Sequence, residues 1–201
     1  MSEFTSAIDV CVAGTGSYVP ERILTNEELA AMVDTSDEWI VTRTGIKERR
    51  IAADDEFTSH MASKAALKAL EQAGMKPEDI ELIVVATITP DTPTPATACH
   101  VQQQLGAFNA VAFDISAACS GFLYAMKICK RLISDGAFKN ALIIGAEKLS
   151  AVTNWTDRST CVLFGDGAGA AVLRRAQPGE GSIVATEMGT DGNLTHLLEI
   201  A

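Results

Sequence analysis

The chain has 201 residues, 47% hydrophobic and 21% charged, enough for one large globular domain or two small ones. A formal net charge of -10, from 26 acidic against 16 basic residues, disfavours nucleic acid as a partner. No apolar run approaches the ~18 residues of a membrane span, and residues 1–6 lack the basic flank and apolar core of a secretory signal, so a cytoplasmic protein is expected, with no membrane contact.

Residues 8–13 alternate toward a first strand, expected to end at Gly14 and Gly16. Thr25 and Asn26 cap a helix with Glu27 and Glu28 in its first turn, where acidic charge suits the helix dipole. Ser36 caps a second, short helix carrying Glu38, Trp39, Ile40 and Arg43 and stopped at Gly45. Residues 46–51 read as a short strand, and the basic cluster Lys47, Arg49 and Arg50 as its solvated end. Residues 58–73 form the clearest amphipathic helix. Met61, Ala62, Ala65, Ala66, Ala69, Leu70 and Ala73 share one face, and Gly74 terminates it. Residues 82–87 are a continuous apolar strand of the kind covered on both faces. The loop 89–95 is too rich in proline for regular structure, and a helix over 97–105 follows. Strands are expected at 111–115, 141–145, 167–173 and 182–188, with a long helix after Cys119. Strands alternating with helices argue for a parallel-rich α/β sheet.

Five cysteines, an odd number without paired spacing, fit a reducing compartment, and no clustered Cys or His suggests a metal site. Cys11, Cys99, Cys129 and Cys161 read as small apolar filler. Cys119 differs. The apolar run 111–115 leads through Ser116, Ala117 and Ala118 to this cysteine, and a helical pattern begins at Gly121. A cysteine where a buried strand turns into a helix N-terminus faces unpaired N–H groups and the positive end of the dipole, a setting that favours a nucleophilic thiolate. Trp39 and Arg43, four apart, share a helix face. The indole can stack on a base and the guanidinium can hold a phosphate; equally, the pair reads as a half-buried core tryptophan beside a surface charge. The run Gly165 to Ala170 lacks the order of a P-loop or dinucleotide fingerprint and reads as close backbone packing.

Residues 114–122, Asp-Ile-Ser-Ala-Ala-Cys-Ser-Gly-Phe, resemble the nucleophile segment of the β-ketoacyl-acyl-carrier-protein synthase III family. Residues 14–20, 34–46 and 157–170 resemble further segments of that family in the same order, the stretch around Trp39 being the most discriminating. The resemblance implies the N-terminal half of a thiolase-like fold, a mixed, mostly parallel five-stranded sheet with helices packed on it. Residues 1–189 would be that domain and 190–201 the start of a connection to a second half. It implies Cys119 as nucleophile, coenzyme A binding by Thr35, Trp39, Arg43 and Arg158, with Trp39 and Arg158 on either side of the adenine, and Thr94 in a loop that caps the acyl pocket of a dimer partner. A threonine there leaves room for primers larger than acetyl.

The implied reaction is decarboxylative Claisen condensation of an acyl-CoA primer with malonyl-acyl-carrier protein. It runs through an acyl-cysteine in a homodimer, with acyl-CoA as a substrate and no separate cofactor. The histidine and asparagine that complete the family's site have no counterpart here; His60, His100 and His196 read as surface or packing residues. Two alternatives remain open: a non-catalytic half-domain that pairs with a homologous chain, and another acyl-CoA-using thiolase-fold synthase.

Overall fold

The computed structural model describes residues 8–200. Its organising element is a five-stranded sheet in the order β1-β7-β6-β4-β5, where β1 is Val10–Tyr18, β4 Leu82–Ala86, β5 Val111–Ile115, β6 Asn140–Lys148 and β7 Asp166–Arg175. The ladders β4–β5 and β4–β6 are parallel; β7 runs antiparallel to both β6 and β1. Four strands therefore point one way and β7 opposes them, which is the mixed, mostly parallel sheet expected. A separate antiparallel pair joins β2 (Arg22–Thr25) to β3 (Glu48–Ile51).

Period-two alternation divides the central strands between two cores. Ile83 and Val85 of β4 face α3 (Thr58–Ala73) and α4 (Thr97–Leu105), together with Leu142, Ile144 and Val172. Leu82 and Val84 face α5 (Gly121–Ser134), together with Ile143, Leu173, Cys129 and Ile133. Covered on both sides, β4 is buried at all five positions, and that is why its sequence is unbroken apolar rather than alternating. A third, smaller core of Leu24, Leu29, Ile40, Ile51, Cys161 and Val162 joins α1 (Asn26–Ala30), α2 (Asp37–Thr44), the β2–β3 pair and α6 (Arg158–Cys161). No helix among the described residues is long and apolar enough to cross a membrane.

The helix ends follow their caps. Thr25 and Glu28 form a reciprocal capping box on α1, Ser36 Oγ accepts from Trp39 N on α2, and Gly45, Gly74 and Gly106 end α2, α3 and α4 in left-handed conformation. Two strand expectations fail. β1 does not stop at Gly14 and Gly16 but runs through both to Tyr18, with a register shift between Val12 and Gly14. Both glycines lie against the backbone of α3, and a Cβ at either position would collide with the carbonyl of Ala69 or Ala65. They are there for close approach, not for a turn. Residues 182–188 form no strand. They lie extended across α5, where Tyr124 Oη, Lys127 Nζ and Lys130 Nζ donate to the carbonyls of Gly189, Thr186 and Val184 at 2.7, 3.3 and 3.2 Å. One backbone bond, Ile183 N to Val10 O at 2.8 Å, ties them to the sheet. The glycine run behaves as read: Gly167 and Gly169 lie in β7, and a Cβ on Gly165 would meet the Arg50 carbonyl oxygen at 3.0 Å.

Gly16→Ala forces α3 off the sheet, and an overpacking penalty of about 1–3 kcal/mol is expected. Chemical denaturation should show the midpoint falling with an unchanged slope, whereas Gly169→Ala, whose Cβ meets nothing within 4 Å, should be far milder.

Candidate functional site

The direction of the strands decides where the candidate residues collect. β1, β4, β5 and β6 end at the same edge of the sheet, and β7 begins there. The loop bearing Thr94 leaves β4, the turn bearing Cys119 leaves β5, and the segment leading to Arg158 leaves β6. In open α/β sheets ligands bind outside the carboxyl ends of the strands, and these candidate residues follow the strands at that end.

At the end of β5 the chain makes a 3-10 turn over Ala118–Ser120 and enters α5 at Gly121. Ala118 has φ 44°, the one non-glycine residue with positive φ among those described. A side chain in this region costs about 1–2 kcal/mol, and such strain concentrates where a fold must present a particular atom. The strained residue directly precedes Cys119, which is exposed. Gly121 permits the tight entry, since a Cβ there would stand 3.0 Å from Ala86 Cβ of β4. The strand before the cysteine departs from expectation: β5 is the sheet edge, with Val111 exposed and the rest half-buried. Asp114 in β5 accepts from the first amides of α4, Thr97 N at 2.7 Å and Ala98 N at 2.8 Å, which fixes that helix against the strand leading to Cys119.

The other cysteines are distinct from Cys119. Cys11, Cys129 and Cys161 are buried, and Cys99 is intermediate. Burial pushes the Cys129 thiol up to about 12 and raises those of Cys11 and Cys161. All three are packing groups, as expected.

The second cluster centres on Trp39, half-buried on α2. Arg43 Cζ lies 4.3 Å from the indole centroid, and Arg158 Cζ, from the start of α6, also lies 4.3 Å from it. Trp39 thus carries two guanidinium groups, one from its own helix four residues on and one from a segment over a hundred residues away. The Arg158–Asp34 pair at 3.9 Å is exposed and adds little. Thr35, in the turn before α2, has a buried hydroxyl without a hydrogen-bond partner. Thr94 is exposed in the loop between β4 and α4, where Thr92 Oγ1 donates to Pro95 O at 3.3 Å. Trp39, Arg43 and Arg158 are in contact. No hydrogen bond or stacking contact joins Cys119 or Thr94 to them; those two share the same edge of the sheet. An indole face flanked by guanidinium groups suits a planar, anionic ligand, and an exposed thiol on a strained turn suits attack on an electrophile.

Sequence reasoning missed the frame behind this cluster. Arg49 is no solvated strand end: it is 3% exposed, with Nε and Nη2 donating to Val162 O at 3.0 and 2.5 Å and Nη1 to Asn26 Oδ1 at 2.5 Å. The alternation of β3 carried the signal, since Arg49 and Ile51 share the inward face while Glu48 is exposed. Asp166 is likewise buried, accepting from Ala52 N, Ser150 N and Ser150 Oγ at 2.7, 2.8 and 2.6 Å, and so ties β3 to the segment before α6. Of the histidines, His60 Nδ1 accepts from Phe57 N at 3.1 Å, His100 is half-buried with an unpartnered Nε2, and His196 is exposed.

The fold is that of one half of a thiolase-like protein. Residues 113–192 match the family model described as 3-Oxoacyl-[acyl-carrier-protein (ACP)] synthase III. Over 181 residues the chain is 59% identical to a β-ketoacyl-[acyl-carrier-protein] synthase III of Caldanaerobacter subterraneus, a match covering 90% of this chain and 54% of that protein. The crystal structure of the 3-oxoacyl-[acyl-carrier-protein] synthase III of Aquifex aeolicus superposes with a TM-score of 0.81 at 57% identity, covering 84% of this chain and 54% of that one. The priming β-ketosynthase of the R1128 polyketide pathway superposes with a TM-score of 0.82 at 42% identity, covering 85% and 51%. The chain is similar to proteins named β-ketoacyl-[acyl-carrier-protein] synthase III and spans about half the length of the curated relatives it matches.

Iodoacetamide under native conditions at neutral pH is expected to label Cys119 first and to leave Cys129 untouched until the protein is unfolded. Peptide mapping of a labelling time course checks this, and early modification of Cys129 would contradict the packing of α5.

Proposed function

We propose that the chain supplies the acyl-accepting half of a β-ketoacyl-acyl-carrier-protein synthase III. In this reading the Cys119 thiolate attacks the carbonyl carbon of an acyl-CoA thioester. The tetrahedral adduct collapses, the C–S bond to coenzyme A breaks, and the pantetheine thiol leaves with the electron pair, so that the acyl group rests on Cys119. Malonyl-acyl-carrier protein then loses carbon dioxide, its α-carbon attacks the acyl-cysteine carbonyl, and Cys119 is released as thiolate. Both stages are thioester exchange and carbon–carbon bond formation without a change in redox state, so acyl-CoA and the malonyl thioester are substrates and no separate cofactor is required.

The observation that carries this reading is the pairing of an exposed Cys119 on a strained turn with the Trp39–Arg43–Arg158 cluster at the same edge of the sheet. In the family reading, Trp39 and Arg158 hold the adenine between them, with Arg43 and Thr35 on the nucleotide. The Thr35 hydroxyl, buried and without a partner, is available for such a contact. Arg158 lies directly over Trp39, and a base entering between them needs about 7 Å, twice the optimal carbon–carbon separation, so its side chain swings outward on binding. The same reading assigns a cytoplasmic homodimer with Thr94 over the partner's acyl pocket. Residues 1–189 form one half of a thiolase-like pair, and residues from 190 onward lead toward the second. The exposed apolar side chains Leu123 and Ile128 on α5, and Leu194, Leu197 and Leu198 beyond, support a covering second layer.

Intact-mass spectrometry after incubation with short acyl-CoAs tests the first stage. One acyl group per chain is expected, on Cys119 and absent from Cys119→Ala. A folded chain that never takes an acyl group would leave the non-catalytic half-domain as the better reading. Trp39→Ala and Arg158→Ala should each raise the KM for acyl-CoA by about 1–3 kcal/mol equivalent, one to two decades, with little effect on the limiting rate of acylation.

A further inference from the structure

Arg49 is the least expected residue in the molecule. Its guanidinium is buried, burial lowers its pKa, and no carboxylate lies within ion-pair distance among the described residues. A buried charge held by neutral partners is costly, so those partners must be well placed. They are two. One is the Val162 carbonyl, which takes two N–H groups at the C-terminal end of α6. The other is the Asn26 carboxamide oxygen on α1. The Asn26 amide nitrogen is itself committed, donating to Asp37 Oδ1 at 2.7 Å and to Ile46 O at 2.9 Å, so it grips α2 at its first residue and just past its end.

The connected path therefore runs from α6 through Arg49 and Asn26 to α2. These are the two elements that carry Arg158 and Trp39. α6 is only four residues long, too short to hold its own position. Its front end is fixed by Asp157, which accepts from Ser159 N at 2.9 Å and from Thr160 Oγ1 at 2.9 Å, and its rear end by the fork of Arg49. The packing beneath is small, with Leu29, Ile40, Cys161 and Val162 in one satellite core.

We infer that Arg49, acting through Val162 and Asn26, is a positioning residue that sets the separation of Trp39 and Arg158 and so the fit of the nucleotide of acyl-CoA. The inference rests on the clamp assigned above. With both backbones pinned, the Arg158 side chain opens and closes over a slot of fixed width, and the ordering cost of building that slot is met in the folded protein rather than at each binding event.

The test uses the full chain and two donors, butyryl-CoA and the butyryl thioester of N-acetylcysteamine, which carries the same acyl group and no nucleotide. Initial rates of Cys119 acylation are read by mass spectrometry. Arg49→Lys keeps the charge and loses the fork onto Val162. It is expected to slow transfer from butyryl-CoA roughly tenfold below saturation, through KM, while transfer from the truncated donor is unchanged. Asp37→Ala, at the exposed start of α2, loosens the same path from its other end and should move the ratio of the two rates in the same direction by a smaller factor. Far-UV circular dichroism confirms the fold, and Asp37→Ala decides the matter if Arg49→Lys does not fold. Equal slowing of both donors, or an unchanged ratio in the folded variants, overturns the positioning role and leaves the acyl-transfer reading intact. An unmodified chain that accepts the acyl group from neither donor overturns both.

Discussion

The constraint on which the rest depends is the common direction of β1, β4, β5 and β6. Parallel neighbours cannot be joined by a hairpin; each needs a crossover, and here α4 joins β4 to β5 while α5 joins β5 to β6. The crossovers cover both faces of the sheet, and the burial of β4 at every position follows from that cover. They also return the chain repeatedly to one edge. Thr94, Cys119 and Arg158, remote from one another in sequence, are brought to that edge by connectivity rather than by any direct contact between them. The antiparallel β7 then begins where β6 ends, and its first residue, Asp166, is buried to hold the returning segment in place.

Two kinds of order coexist at this edge. The turn before α5 is backbone order: Ala118 takes a conformation that its side chain disfavours, and the surrounding sheet and helix enforce it. The Trp39 cluster is side-chain order, two guanidinium groups against one indole with a single exposed carboxylate, Asp34, 3.9 Å from Arg158. Stacked cations repel one another as well as attract the ring. The cluster is therefore tolerant of an anion and of a second planar surface, since either relieves part of the repulsion. A cluster neutralised by close carboxylates would lack that property.

Much of this was legible in the chain itself. The end of α3 could be placed because Gly74 stops it chemically, and β4 because five apolar residues in a row require cover on both sides. Cys119 stood out from its local strand-to-helix pattern, whereas the grouping of Trp39, Arg43 and Arg158 came from resemblance, since no local pattern links Arg158 to α2. The failures share a cause: each depended on a partner distant in sequence. Gly14 and Gly16 look like a turn until α3 is seen resting on them. Residues 182–188 have strand composition but find the carbonyl-facing amines and hydroxyl of α5 instead of a free sheet edge. β2 is four residues whose only sheet partner is β3, and its pattern is too short to register alone. Arg49 read as surface because arginine almost always is.

Burying an arginine without a carboxylate is a poor way to stabilise a fold, since an apolar residue of similar size usually does as well or better. What a guanidinium does that an apolar side chain cannot is fix a carbonyl by two N–H groups at once and reach a third acceptor on another element. Val162 ends a helix of four residues, and Asn26 begins one of five. Neither has the length to define its own axis, and the apolar core around them allows sliding. A directional contact removes that freedom where hydrophobic packing does not, because burial is nearly indifferent to small shifts and a forked hydrogen bond is not. The geometry gained is specific to the elements that hold Trp39 and Arg158, whereas the larger cores on the main sheet are built without any buried arginine. The placement of this one charge is thus better explained by the precision of the site than by the stability of the fold.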